Sequence, residues 1–266
     1  MLRDITVGQY YPTTSFVHKL DPRFKILCAF AYISSLFIVD SLSSYLIVLG
    51  FLGMAVQFSK VPVTYMLRGL KPIMFIIIFA FAINMFLTPG EIIFQLGFIK
   101  VTLQGIMQAL FMAFRLIFLI LGTSLLTLTT SPIELTDGLE RLLGPFKKIG
   151  VPAHELAMMM TIALRFIPTL LEETDKIMKA QMARGADFES GNIVARAKSL
   201  IPLLVPLFIS AFRRADELAM AMEARCYRGG ENRTRLKVLK YTYRDVIGIF
   251  SFAVYLVTMI SVQIIF

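Results

Sequence analysis

Five apolar runs of 17 to 28 residues constrain this chain more than any other feature of its sequence. A helix that crosses the hydrocarbon core of a bilayer needs ~17–25 mainly apolar residues, so each run is long enough to span it. Charged residues make up only 17% of the chain, whereas a soluble domain contains ~25%. The sequence therefore predicts an all-α integral membrane protein with five transmembrane helices, and it argues against a water-soluble enzyme. The runs cover residues 22–39, 42–58, 72–88, 103–130 and 246–266.

The first two runs are predicted to form a tight helical hairpin. Asp40 and Ser41 interrupt the apolar pattern between them. A single helix over both runs would be ~55 Å long at 1.5 Å per residue, which is too long for one hydrocarbon core. Asp21 is placed to cap the first helix, and Pro22 suits its first turn.

The distribution of Lys and Arg predicts the orientation in the membrane. Short basic loops are retained in the cytoplasm. Residues 1–25 carry four basic residues, residues 59–71 carry three and residues 131–245 carry eighteen, whereas the opposite side has only Lys100. We therefore expect a cytoplasmic N-terminus and an extracellular C-terminus, as an odd number of spans requires.

Three parts of the chain follow from these assignments. Residues 1–130 hold the N-terminal segment and spans one to four, residues 131–245 form a large helical cytoplasmic coupling domain inserted between spans four and five, and residues 246–266 form span five.

The inserted segment has the signals of folded helices. Ser131 is a predicted N-cap, followed by proline at the first helical position, and this helix is expected to end near Leu143. A second helix is predicted to start near Pro152, and Pro168 should kink or restart it because proline lacks a backbone donor.

Two helices of the insert resemble copies of one another. A shift of 41 residues aligns 169–185 with 210–226 and places Arg184 on Arg225, each after an alanine. Gly185 occupies the position where a left-handed C-terminal cap is expected.

The two arginines allow two interpretations. A cation near a helix C-terminus is stabilised by the macrodipole and can bond the last carbonyls. Two tips that each present a planar, bidentate donor are also suited to two equivalent acidic grooves on a two-fold partner. For either arginine alone the first interpretation is favoured, whereas the pair favours the second.

Several segments together resemble the signature of the transmembrane T component of energy-coupling factor (ECF) transporters. The likeness extends over essentially the whole chain. The segments are Ser131-Pro132-Ile133-Glu134-Leu135, Leu164-Arg165-Phe166-Ile167-Pro168, Ala180-Gln181-Met182-Ala183-Arg184-Gly185 and Ala224-Arg225-Cys226.

The resemblance implies a role for the two tips and a set of partners. In that family each Ala-Arg-Gly motif docks into a groove on one of two ABC-type ATPase subunits, which form a homo- or heterodimer. The third partner is a membrane-embedded substrate-binding S component for a vitamin or another micronutrient. The docking residues implied here are Ala183, Arg184, Gly185, Ala224, Arg225 and Cys226, of which Cys226 departs from the family's usual glycine.

The same resemblance implies a non-catalytic subunit that has no cofactor or metal of its own and no nucleic-acid partner. ATP is then bound by the ATPase subunits, in agreement with the absence of a G-x-x-x-x-G-K-[ST] phosphate loop from this sequence.

Two other classes stay open as alternatives. An intramembrane enzyme needs polar groups that converge within the spans, and a self-contained secondary transporter needs ionisable groups near the midplane and broken helices. Apart from hydroxyls, the polar residues in the spans include Asn84, Arg115, Gln57 and Gln263.

Three further residues have less specific interpretations. Arg115 in the fourth span either has a buried partner or extends to the interface, and both interpretations stay open. His18 and His154 are interpreted as ordinary interfacial residues, because they form no two-histidine metal motif.

Overall fold

The computed structural model describes residues 10–39, 41–96, 99–188, 190, 192–230 and 239–265. Helices form most of the described chain. They are α1 (Pro22–Ile38), α2 (Leu42–Ser59), α3 (Val63–Leu70), α4 (Met74–Leu87), α5 (Leu103–Thr129), α6 (Pro132–Leu143), α7 (Ala153–Ala183), α8 (Ile193–Ser199), α9 (Ile201–Ala224) and α10 (Tyr243–Ile265). Short 3₁₀ turns at Lys71–Ile73 and Gly144–Ile149 continue α3 and α6, and strands β1 (Ile92–Leu96) and β2 (Ile99–Thr102) precede α5.

The chain divides into two compact units. One contains residues 10–139 and 239–265, and the other contains residues 140–230. We call them the membrane unit and the insert unit.

Five helical segments in the described chain are long and apolar enough to cross a membrane. Four of them, α2, α3–α4, α5 and α10, cover the second to fifth predicted runs. The fifth is α7, which the sequence placed in the insert, whereas α1 has 17 residues and lies at the short limit for a span. The predicted class, an all-α membrane protein, is confirmed.

The helix signals read from the sequence act as predicted at two starts. The Asp21 carboxylate accepts a hydrogen bond from the Arg23 backbone N–H at 2.9 Å, with Pro22 in the first turn of α1. The Ser131 hydroxyl accepts from the Glu134 N–H at 3.3 Å at the start of α6, which ends at Leu143. Ser41 caps α2, and Asp40 lies outside the described residues.

Aromatic side chains from α1, α2, α5 and α10 form the core of the membrane unit. The hydroxyls of Tyr32 and Tyr45 donate to α5 carbonyls, those of Phe118 at 3.0 Å and Phe111 at 3.1 Å. Gly122 on α5 admits the ring of Tyr32, since a Cβ there would lie 2.2 Å from Tyr32 Cε1. These bonds satisfy polar groups that lipid cannot satisfy, so they fix the helices to one another.

A buried polar cluster joins the start of α1, the end of α5 and the start of α10. The Asp245 carboxylate accepts from the backbone N–H groups of Asp21 at 2.7 Å and Thr242 at 2.6 Å. The ammonium of Lys25, a side chain that is 6% exposed, donates to the Thr129 carbonyl at 3.0 Å. These three helix ends therefore lie on the same side of the membrane unit. We call these residues the helix-end cluster.

The chain leaves and re-enters the membrane unit beside two adjacent residues of α1. A Cβ at Gly138 on α6 would lie 3.0 Å from Cβ of Pro22. The guanidinium of Arg23 lies 4.3 Å from the ring centroid of Tyr241, just before α10. The two connections to the insert are thus neighbours.

Two features of the fold differ from the prediction or were missed by it. The antiparallel pair β1–β2 fills the connection before α5, to which the sequence analysis assigned no element. The restart predicted at Pro168 is wrong, because α7 runs through this proline as one helix of 31 residues. Proline removes a single backbone hydrogen bond, and the alanine, leucine and methionine residues around it favour helix strongly.

Candidate functional site

Helices α7 and α9 of the insert unit pack against each other in opposite directions. The Gln181 side-chain amide near the end of α7 donates to the Pro202 carbonyl at the start of α9, at 3.2 Å. Near their middles, Arg214 Nη2 donates to Glu173 Oε2 at 2.9 Å, and Ser210 also donates to this carboxylate. The two C-termini therefore point to opposite ends of the pair.

The Glu173–Arg214 contact relates the two copies of the repeat. These residues are 41 positions apart, the same shift that aligns Arg184 with Arg225. Each arginine lies 11 residues beyond the contact, or ~16 Å along its helix at 1.5 Å per residue. Equivalent residues of the two copies contact each other where α7 and α9 cross. The two helices are therefore arranged locally as if related by a two-fold axis.

The first tip ends in a Schellman motif. Arg184 is the C-cap of α7, and Gly185 follows with a φ of 89°, in the left-handed region that glycine tolerates best. The Gly185 N–H donates to the Met182 carbonyl at 2.9 Å, and the Ala186 N–H donates to the Gln181 carbonyl at 3.0 Å. These bonds satisfy carbonyls that the helix end leaves free.

The second tip has the same motif although it lacks the glycine. Arg225 is the C-cap of α9, and Cys226 has a φ of 57°. The Cys226 N–H donates to the Glu223 carbonyl at 2.8 Å, and the Tyr227 N–H donates to the Met222 carbonyl at 3.0 Å. Cys226 thus reproduces the hydrogen-bond pattern of the cap at Gly185, and the departure from Ala-Arg-Gly leaves this pattern unchanged.

All six residues singled out from the sequence are exposed at the two tips: Ala183, Arg184, Gly185, Ala224, Arg225 and Cys226. Within the described part of the chain, neither guanidinium forms an ion pair with a carboxylate. The small residues on either side leave each planar donor accessible to an external acceptor. The geometry suits a pair of equivalent anchoring points.

A polar network beside the second tip was missed by the sequence analysis. His154, in the first turn of α7, bonds Glu140 Oε1 on α6 through Nδ1 at 2.9 Å and the Tyr227 hydroxyl through Nε2 at 3.2 Å. Because 73 residues separate His154 from Tyr227, no local pattern indicated this contact.

Several polar groups of the membrane unit form bonds between and within helices. Arg115 Nη2 donates to the Val39 carbonyl at 3.0 Å, so this arginine has a buried partner. The Asn84 amide donates to the Ala80 carbonyl, and the Ser44 hydroxyl donates to Gln263. Within the residues described, no group of three His, Cys, Asp or Glu side chains is arranged to hold a metal ion.

Together these features define a class of protein: a polytopic helical membrane protein with an inserted helical unit that presents two arginine-tipped helices. The family model for CbiQ, described as "Cobalt transport protein", matches residues 13–236. The chain belongs to this family.

Several relatives carry a more specific name. The "Energy-coupling factor transporter transmembrane protein EcfT" of Clostridium kluyveri is 62% identical over 250 residues, which is 93% of each chain. The protein of the same name from Thermosediminibacter oceani is 61% identical over 245 residues, or 92% of each chain. The one from Bacillus subtilis is 51% identical over 255 residues, or 96% of each chain.

Proposed function

We propose that this chain is the transmembrane coupling component of an ECF-type importer driven by ATP. Its partners are two ATPase subunits and a membrane-embedded S component that binds a vitamin or another micronutrient. The names of relatives that match over more than nine-tenths of their length support this assignment.

The observation that carries the proposal is the geometric equivalence of the two tips. Arg184 and Arg225 occupy the same cap position in the same Schellman motif, at the same distance from the crossing of their helices. The dipole interpretation accounts for one arginine at a helix end. The dipole interpretation does not explain why two helices carry an arginine in the same cap position. Docking to two equivalent ATPase subunits requires such a pair of tips.

The helix pair is suited to transmit force between its tips and the rest of the transporter. α7 has 31 residues and is ~46 Å long at 1.5 Å per residue. Closure of the ATPases would displace both tips, and the pair would pass the movement to the S component. Hydrolysis itself takes place in the ATPases, so this chain is a non-catalytic subunit.

The proposed orientation places the tips on the side of the ATPases. The N-terminus and the insert lie in the cytoplasm, and the C-terminus lies outside. The basic residues support this orientation, and the shared position of the α1, α5 and α10 ends agrees with an insert that leaves and returns on one side.

Removal of the two guanidiniums tests docking directly. Truncation of one partner of a buried charged pair costs ~2–5 kcal/mol, so Arg184→Ala and Arg225→Ala should each weaken ATPase capture. The double variant should lose capture and substrate uptake almost completely, and Arg→Lys should restore them only in part, because an ammonium lacks the planar fork. The measurement is pull-down of co-expressed ATPases, with uptake measured at equal membrane expression.

Arg213→Ala provides a matched control, because this arginine lies on the same helix as Arg225 with a side chain that is 81% exposed. It should assemble and transport as the wild type does. If the double alanine variant also captured the ATPases normally, with a loss of only ~0.3–1 kcal/mol in its own stability, the arginines would be simple dipole caps and docking would be rejected.

A further inference from the structure

The two tips differ in what holds the chain immediately after them. The second residue after Arg225 is Tyr227, whose hydroxyl bonds His154 at 3.2 Å. The second residue after Arg184 is Ala186, whose methyl group makes no hydrogen bond. The caps are equivalent, but only the second cap ends in a side chain that ties it to another helix.

Chemistry fixes the direction of the bond between His154 and Glu140. An ionised carboxylate only accepts hydrogen bonds, so Nδ1 of His154 carries a proton and donates it to Glu140 at 2.9 Å. The other ring nitrogen, Nε2, shares a hydrogen bond with the Tyr227 hydroxyl, a group that is able both to donate and to accept. Glu140 therefore orients the ring, and the ring holds the tyrosine. The side chains of His154 and Glu140 are 23% and 14% exposed, so the network is partly sheltered from water.

The backbone beyond the tip also packs on the same ring. A Cβ added at Gly230 would lie 2.5 Å from Cδ2 and 2.6 Å from Cγ of His154. Since residues 227 and 230 both contact this histidine, the segment that follows Arg225 is held at two points.

We infer that His154, oriented by Glu140, is a positioning residue that holds the second arginine tip in its docking conformation through Tyr227. The Tyr227 N–H also donates the hydrogen bond that closes the Schellman motif, to the Met222 carbonyl. Holding Tyr227 in place therefore holds the cap that presents Arg225. The second tip is thus ordered before it meets its ATPase by a bond that follows its arginine, whereas the first tip is tied to α9 by Gln181, which precedes its arginine. The inference rests on the proposed function for the docking step, but the order of the tip is measurable without any partner.

Hydrogen exchange of the whole purified chain tests the order of the tip. Tyr227→Phe removes one hydroxyl and keeps the ring. Loss of one such bond should raise the exchange rate of the 222–230 amides about three- to tenfold. The 181–186 amides at the first tip should not change. The matched control is Tyr243→Phe, a tyrosine that is 77% exposed on α10.

Two histidine variants separate positioning from simple packing. The amide of Gln reaches the place of Nε2, whereas that of Asn reaches only the place of Nδ1. His154→Gln should therefore keep the Tyr227 contact and most of the protection, and His154→Asn should behave like Tyr227→Phe. Combining His154→Asn with Tyr227→Phe should add nothing further, because both changes remove the same bond.

ATPase capture completes the test. If positioning matters, Tyr227→Phe and His154→Asn should each weaken capture about three- to tenfold, and His154→Gln should restore it. If Tyr227→Phe and His154→Asn left the hydrogen-exchange rates of the 222–230 amides unchanged, the inference would be overturned, regardless of the result of ATPase capture. Raised exchange with normal capture would overturn it as well, and the docking role of Arg184 and Arg225 would then still be decided by their own variants.

Discussion

At the residue scale, the two caps show how one backbone geometry is reached with different side chains. Gly185 adopts its φ of 89° freely, and a Cβ there would meet no atom within 4 Å beyond its own residue and its two neighbours in the chain. Cys226 adopts a φ of 57° with a side chain present, in a region where non-glycine residues are strained. The structure therefore stores a small strain at the second tip and none at the first.

This difference predicts opposite effects of two small substitutions. Gly185→Ala should destabilise the first cap by about 1 kcal/mol, because the left-handed conformation brings Cβ close to a carbonyl oxygen. Cys226→Gly should stabilise the second cap by about 0.5–1 kcal/mol, since the strain is removed but glycine loses more entropy on folding. Amide exchange of the 181–186 and 222–227 segments measures both.

Gly144→Ala is the matched control for these substitutions. A Cβ at Gly144 also meets no atom within 4 Å, and its φ is not positive. It should leave the stability of the insert unit almost unchanged. A loss at Gly144 as large as that at Gly185 would show that the left-handed conformation is not the cause.

At the scale of elements, the crossing of α7 and α9 depends on a charged contact between equivalent positions. Glu173 accepts hydrogen bonds from both Ser210 and Arg214, and its side chain is 22% exposed. A partly exposed pair of this kind contributes ~0.2–1 kcal/mol. We therefore expect the contact to act more on where the helices cross than on the stability of the unit.

Reversal of the charges tests this role. Glu173→Arg places like charges at the crossing and should lower both the thermal unfolding midpoint and uptake. The exchange Glu173→Arg with Arg214→Glu should recover most of the loss, because it restores opposite charges. If the double variant regained neither the unfolding midpoint nor uptake, packing alone would determine the crossing.

The matched control for charge reversal is Glu217→Arg. Glu217 pairs with Arg213 on the same helix at 3.4 Å, and its side chain is 60% exposed. An exposed pair four residues apart within one helix does not hold two helices together. This variant should leave uptake unchanged.

The sequence predicted the elements whose signals are local. Asp21, Ser131 and Gly185 marked helix ends because capping involves residues that are neighbours in the chain. The β1–β2 pair was missed because its strands lie outside the apolar pattern on which the spans were assigned.

The candidate site was predictable in its repeated part and not beyond it. The 41-residue shift identified both arginines, since the same local pattern occurs twice. The contacts of Lys25 with Thr129 and of His154 with Tyr227 join residues 104 and 73 positions apart. Only packing brings such residues together, so no pattern along the chain indicated them.

At the scale of the whole molecule, the orientation in the membrane is open to a direct test. In a chain with Cys28→Ser and Cys226→Ser, a cysteine at Glu91 should react with an impermeant thiol reagent added to intact cells. A cysteine at Asp187 should react only after the membrane is opened. Both positions are exposed, so access decides the result. Labelling at Asp187 from outside would reverse the proposed orientation.

The neighbouring exits of the insert have a consequence for how this architecture changes during evolution. The chain departs beside Pro22 and returns beside Arg23. The helix-end cluster joins the start of α1 to the start of α10 at the same place. Insertions whose two ends lie close together leave the core of the host intact. Recombination at this seam would exchange the whole insert without rebuilding the bundle, so the two parts of the chain are free to diversify as separate modules.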